Sequence, residues 1–280
     1  MDRLSSVLHN FRATASGVAC EQHQGVKNLA LLPHICYWFY LVEGEVKLTS
    51  HNGQTLRLEQ GDGLWMAVGQ SLSLQVIGAS ASLLKCDFSF GSVLSNKRLN
   101  PLLERQQGWI KVAKNDDVAR QTAPMTQLLL QETMQPRCGS KVVVERLAEA
   151  YLVQLLRAFL QFQRIEVGLM AGLSDRKLAR ALVAIHDDPA HPWQVASLAA
   201  EAGMSRSVFS AHFKQAMLMT PMHYLALWRM RLASQRLING ERNLALLSQE
   251  LGYQSEAAFR RTFKKVIGTT PGGLVKSMVA

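Results

Sequence analysis

The sequence lacks any apolar run of the roughly 18–20 residues that a membrane-spanning helix requires. Its opening stretch, MDRLSSVLHNFRATASG, holds no apolar core of the sort a secretory leader carries. These two absences predict a cytoplasmic protein with no membrane partner. Cysteine is scarce, at positions 20, 36, 86 and 138 only. That spacing is too wide for a Cys-x-x-Cys zinc site, and a reducing compartment predicts free thiols. Charged residues make up only 19% against 48% hydrophobic, which excludes a disordered chain. Acidic residues are also short: 21 Asp+Glu face 31 Lys+Arg, for a net charge of +10. Residues 171–280 carry 14 basic and 7 acidic side chains, whereas residues 1–170 carry 17 and 14. The excess is therefore concentrated in the last two-fifths of the chain. A basic domain favours anionic partners, a polyanion first among them. Solubility alone is the plainer explanation of the charge.

What is present divides the 280 residues into two parts, as that length allows. Glycines at 44, 53, 61, 69 and 78 separate WFYLVEGEVKL, QTLRLEQGD, GLWMAVG and SLSLQVIG. Short segments with turn residues at such regular intervals predict a β-sandwich or barrel. The Asn-Gly of SHNGQ predicts a two-residue hairpin turn. From about residue 121 the period becomes helical, first in MTQLLLQETM and then in KVVVERLAEAYLVQLLRAFLQF. There Val144, Leu147, Tyr151, Leu155, Ala158 and Phe162 form one stripe, widened by Leu152, Leu156 and Phe159. The stripe either packs on the strand domain or forms a dimer interface. RIEVGLMAGLSD reads as the joint between domains, with Ser174 capping a helix that starts near Asp175.

The remainder contains one unit twice. SVFSAHFKQAMLMTP at 207–221 returns as AAFRRTFKKVIGTTP at 257–271. Each copy follows a short amphipathic helix that ends at a glycine, QVASLAAEAG or LALLSQELG. Two short helices joined by a glycine-containing turn predict a helix-turn-helix. Phe209 and Phe213, like Phe259 and Phe263, are four apart and should face inward. The first outward face then carries Arg206, Ser207, Ser210, Ala211 and Lys214. The second carries Glu256, Ala257, Arg260, Arg261, Lys264 and Lys265. Such side chains on a helix in the major groove read base edges and phosphates, which makes double-stranded DNA the expected partner. A pair of solvated helices in an α-repeat is the competing reading. The helix MHYLALWRMRLASQRLING would hold the two units apart, with Trp193 and Trp228 as core anchors.

Residues 174–276 resemble the AraC/XylS DNA-binding domain, on PWQVASLAAEAGMSRSVFSAHFK, TPMHYLALWRMRLASQRL and LGYQSEAAFRRTFKKVIGTTP. Members often carry Gly-x-[Ser/Thr]-Pro after the first recognition helix. LMTP stands there in this chain, implying an altered turn at Leu218. Residues 1–165 are similar to the cupin-type sensor of one subfamily, on YLVEGEVKL, LRLEQGDGLWMAVG, LLKCDFSF and NPLLERQQGWIKV. The fold implied is α+β and multidomain. A cupin-like β-barrel and helical dimerisation segment over 1–165 precede an all-α domain of two helix-turn-helix units over 174–280.

The resemblance implies a transcription regulator under an N-terminal sensor; a homodimer is expected through the helical stripe, and RNA polymerase is a partner if the protein activates. Cupin enzymes bind a metal through several histidines, and the two motif strands here contain none. His34 and His51 read as surface residues. The expectation is therefore a binding domain with no metal and no cofactor, rather than an enzyme. The rivals are a cupin enzyme fused to a DNA-binding domain and an architectural binder without a switch. Cys20 and Cys86 match a pair in the reactive-chlorine-sensing regulators of the subfamily. In the sequence Cys20 follows TASGVA, read as a flexible stretch, and Cys86 lies in a strand beside Lys85, a cation able to favour thiolate. Cys36 reads as core and Cys138 as an exposed loop residue. The signal is either oxidation of Cys20 and Cys86 or a small molecule in the barrel.

Overall fold

The structure, a computed structural model, describes residues 2–10, 13–33, 35–89 and 109–279. Its contacts separate a strand unit from a helical unit. The strand unit contains β1 (Thr14–His23), β2 (Val26–Leu29), β3 (Cys36–Glu43), β4 (Glu45–Ser50), β5 (Thr55–Glu59), β6 (Gly63–Met66), β7 (Leu72–Val76), β8 (Ala81–Ser89) and β9 (Trp109–Val112). They form two antiparallel sheets, ordered β1-β8-β3-β6-β9 and β2-β7-β4-β5. Tyr37, Phe39, Leu41, Leu64 and Leu83 of the first sheet meet Val46, Leu48, Leu58 and Leu74 of the second in a common core. β4 and β5 alternate apolar with polar because their other side chains face water. β3 is buried at nearly every position because helices cover its second face.

Those helices are α2 (Asp117–Met134) and α3 (Ser140–Gln161). Helix α2 starts before MTQLLLQETM, where the Asp116 side chain accepts from the Val118 N–H. The stripe on α3 is occupied within its own unit: Val144, Tyr151, Leu155, Ala158 and Phe159 are buried. Tyr151 meets Trp38 at 6.0 Å between ring centres, and Phe159 meets Trp65 at 6.1 Å. Of the two readings of the stripe, packing on the sheet is therefore the one realised. The β4–β5 turn also differs from expectation. Ser50 and Gln54 close a loop of three residues, His51, Asn52 and Gly53, with Gly53 at φ 83°. Three residues with a left-handed glycine suit a hairpin as well as two do.

The helical unit gathers α1 (Ser5–Asn10), α4 (Leu169–Ser174), α5 (Arg176–Asp187), α6 (Val195–Ala202), α7 (Arg206–Met217), α8 (Pro221–Ile238), α9 (Leu244–Glu250), α10 (Glu256–Ile267) and α11 (Pro271–Val279). Val7 of α1 and Leu4 just before it are buried, and Arg3 donates to the Leu173 carbonyl at 2.9 Å. The stretch read as a joint includes α4, packed against α5 and α7. Asp175, not Ser174, caps α5, accepting from Lys177 and Leu178 N–H at 2.8 and 2.9 Å. Ser174 instead donates back to Met170 O at 2.8 Å. No helix among the described residues is long and apolar enough to cross a membrane.

Candidate nucleic-acid interface

Each repeated unit is built on a pair of phenylalanines. Phe209 and Phe213 are fully buried with ring centres 5.5 Å apart, and Phe259 and Phe263 repeat this at 5.7 Å. Gly203, at φ 64°, turns the chain from α6 into α7, and Gly252, at φ 76°, does so between α9 and α10. Gly252 is doubly constrained, since a Cβ there would stand 2.3 Å from Ala190 O. Helix α7 is also fixed from behind. The Asp175 carboxylate that caps α5 holds His212 Nε2 at 2.7 Å.

Helix α8, about 27 Å long by its 18 residues, runs between the two units. Trp228 is fully buried in it and stacks on His186 at 3.9 Å, while His186 Nε2 lies 2.6 Å from Tyr224 Oη. Burial, assisted by the cationic Arg231, lowers the His186 pKa to about 3. Arg229 is the connection that sequence reading missed. It donates to Pro189 O at 2.7 Å and His191 O at 3.0 Å, and its guanidinium lies 5.5 Å from the Tyr253 ring centre. One side chain of α8 thus grips the loop before α6 and the turn before α10. The signal available was an arginine inside the apolar run LALWRMRLA. Trp193 is half-buried and donates to Asp188 O at 2.8 Å.

The buried phenylalanines leave the opposite faces outward. Arg206, Ser207, Ala211 and Lys214 are exposed on α7; Ala257, Arg260, Arg261, Lys264 and Lys265 are exposed on α10. Ser210 is half-buried, and its hydroxyl donates to Arg206 O at 2.9 Å. Glu256 is also half-buried and binds Arg260 at 2.6 Å, so that arginine lies along its own helix. No ion pair involves Arg261, Lys264 or Lys265 among the described residues. Val208, 56% exposed, and Gln215 belong to the α7 face as well, although the residue list drawn from the sequence omits them. Their positions relative to Phe209 and Phe213 would have placed them there. After α7 the turn keeps its left-handed geometry, with Leu218 at φ 56° where the second unit has Gly268 at φ 89°.

Of the two cysteines singled out in the sequence, Cys86 lies in a strand as expected and Cys20, read as following a flexible stretch, lies in a strand as well. Cys20 lies within β1, opposite Leu84 on β8, and Cys86 lies opposite Val18. The two thiols are therefore diagonal neighbours on one face, a relation with Cα atoms about 7–8 Å apart. Burial pushes both thiols above their ordinary range, and for Cys86 the nearby Asp87 adds to it. Lys85, which binds Asp87 at 3.0 Å, opposes this more weakly. Cys36 is buried and Cys138 exposed. His51 is exposed, and His34 lies outside the described residues. Among the described residues no three His, Cys, Asp or Glu side chains gather as metal ligands. A cavity of about 240 Å³ lies within the strand unit, with Leu31, Phe39 and Leu83 on its walls and Glu21, His23, Lys27, Asn28 and Lys85 as its polar side chains.

Comparison with known proteins follows the same division. A cupin family model matches residues 2–161, and a helix-turn-helix domain model matches residues 198–277. An AraC-like transcription regulator of Streptomyces lividans is 35% identical over 70% of this chain and 63% of its own length. Another, from Streptomyces antibioticus, is 41% identical over 51% of this chain and 47% of its own. The chain thus spans from about half to under two thirds of the length of these two curated relatives. The RCS-specific HTH-type transcriptional activator RclR of Escherichia coli (strain K12) is 22% identical over 86% of both chains.

Proposed function

The chain belongs to the AraC-type proteins that join an N-terminal cupin domain to a C-terminal helix-turn-helix domain, and from that we propose that it regulates transcription by binding double-stranded DNA. The observation carrying this reading is the duplicated helix with a phenylalanine-locked inner face and a cationic outer face. Arg206, Lys214, Arg261, Lys264 and Lys265 supply phosphate and base contacts. Arg260 joins them by exchanging its Glu256 partner for DNA. Affinity should fall steeply with salt as phosphate contacts release counterions. A gel shift with the full chain at low and moderate salt tests this, and absence of any shifted band at low salt refutes it.

The strand unit is the sensor in this reading, and two inputs have structural support. Cys20 and Cys86 are close enough that a small movement joins them. Disulfide formation would transfer two electrons to an oxidant of the chlorine type, with release of both thiol protons. The high thiol pKa values make such a pair slow toward weak oxidants. The cavity beside Lys85 is the second input, sized for a small organic effector. Peptide mapping after mild oxidation, with Cys20→Ser and Cys86→Ser as controls, separates the two. If both variants still respond to oxidant as the parent does, the thiol input is wrong.

Partners under this reading are DNA, a second copy of the chain and, for an activator, RNA polymerase. Most of the α3 stripe is buried within the strand unit, with Leu147 and Phe162 half-buried. The apolar side chains left exposed on α2 and α3 are Leu128, Met134, Val142 and Val143. Light scattering of the full chain tests the pairing, and a monomer at micromolar concentration refutes it.

A further inference from the structure

The two recognition helices differ in chemistry at matching positions. Where α10 carries Arg261, α7 carries Ala211; where α10 carries Ala258, α7 carries Val208. Val208 is 56% exposed, and Ala211 beside it is exposed too. A β-branched residue is a poor choice for an exposed helical position, because its side chain loses rotamer freedom without burying surface. Ser210 spends its hydroxyl on the Arg206 carbonyl, and Arg206 stands at the first position of the helix. Val208 and Ala211 therefore form a small apolar patch on the first reading face, bordered by the exposed side chains of Ser207, Lys214 and Gln215. Base edges in the major groove present one apolar group, the C5 methyl of thymine.

The second face has the opposite character. Glu256 holds Arg260 alongside the helix, while Arg261 is exposed with no ion pair among the described residues. Its neighbours Ala257 and Ala258 are small, which lets the helix approach closely. A guanidinium presented in this way matches the paired acceptors O6 and N7 of guanine.

We propose that the two helices divide the operator by chemistry: α7 reads thymine methyl groups through Val208 and Ala211, and α10 reads guanine through Arg261. This rests on the DNA-binding reading above and adds which helix reads which base. The two half-sites should lie about one helical turn, or roughly 10 base pairs, apart.

The test starts by selecting bound duplexes from a random library with the full chain. In the selected site, thymines are then replaced by deoxyuridine, which removes only the methyl, and guanines by 7-deazaguanine, which removes only N7. Uracil in one half-site should weaken binding about fourfold per methyl contacted, the value of burying one such group. Uracil in the other half-site should have no effect. Val208→Ser lies on the surface and should leave the melting temperature unchanged. It should shrink the uracil effect to the share carried by Ala211 and keep the 7-deazaguanine effect in full, while Arg261→Ala should abolish the 7-deazaguanine effect and keep the uracil effect. The proposal is overturned if uracil is tolerated throughout, or if Val208→Ser remains as sensitive as the parent. Failure to enrich any sequence would instead overturn the DNA-binding reading beneath it.

Discussion

Acidification should destabilise the helical unit through a single buried side chain. His186 is packed on Trp228 and bonded through Nε2 to Tyr224, while its Nδ1 is buried without a protein partner. The protonated ring would carry an Nδ1–H with no acceptor, in a buried site near the cation of Arg231. That is why its pKa falls from 6.5 to about 3. The unfolded chain binds the proton first, at about pH 6.5. Stability from this group is therefore complete above that pH and is lost progressively as pH falls toward 3. At pH 5 the loss is about 1.5 pH units' worth, or about 2 kcal/mol. Hydrogen exchange of the α5 and α8 amides in the full chain reports it locally. After correction for intrinsic exchange, protection at pH 5 should be about thirtyfold lower than at pH 7.5. His186→Gln keeps a group able to bond Tyr224 but does not titrate. It should lower protection at both pH values and remove most of the difference between them. Equal pH dependence in the parent and the variant would refute the argument, as would a His186 ring resonance that titrates near pH 6.5.

Three further substitutions follow from the same geometry. Leu218→Gly should raise the melting temperature of the helical unit. Relief of left-handed strain, about 1–2 kcal/mol, outweighs the added chain entropy, about 0.5–1 kcal/mol; an unchanged or lower value by calorimetry contradicts this. Arg229→Ala removes charge-assisted bonds worth about 1.5–3 kcal/mol each. In gel shifts it should weaken binding to a two-half-site duplex more than to a single half-site, and equal weakening would show that Arg229 does not set the spacing. Leu155→Glu puts a carboxylate in a fully buried position, at a cost of several kcal/mol. It should abolish the near-ultraviolet circular dichroism of the packed Trp38 and Trp65; a folded monomer with an intact spectrum would return the α3 stripe to a subunit interface.

The helical unit was legible because it repeats. Phe209, Phe213, Phe259 and Phe263 define two inner faces by spacing alone, and the turn glycines confirm where each helix begins. What spacing does not reveal is contact across the fold. Arg229 lies in an apolar stripe and reads as a solvated interruption, yet its carbonyl partners come from residues 189 and 191, forty positions away. Asp175 is similar: the sequence pointed to Ser174 as the cap, whereas Asp175 caps α5 and also reaches His212, 37 positions away. Val208 was left out although it lies on the same outward face as Ser207 and Ala211.

The strand unit was legible where one face of a sheet is wet, as in β4 and β5, and less so where both are covered. The stripe on α3 could not be assigned from its own residues, because a sheet and a second helix offer the same apolar surface. The partner is decided by Trp38 and Trp65, whose strands bury both faces. The same cover explains Cys20. TASGVACEQH is small and polar enough to pass for a linker, but its pairing with β8 is made by backbone groups, which such side chains do not oppose. This changes how oxidation could act. A disulfide from a swinging arm would capture a loose segment. A disulfide between β1 and β8 would tighten two strands that are already paired, beneath the helix that covers them. Its effect must then pass through α3, which packs against β1. For the bond to switch anything, α3 must have a second position that the bridged strands favour over the first.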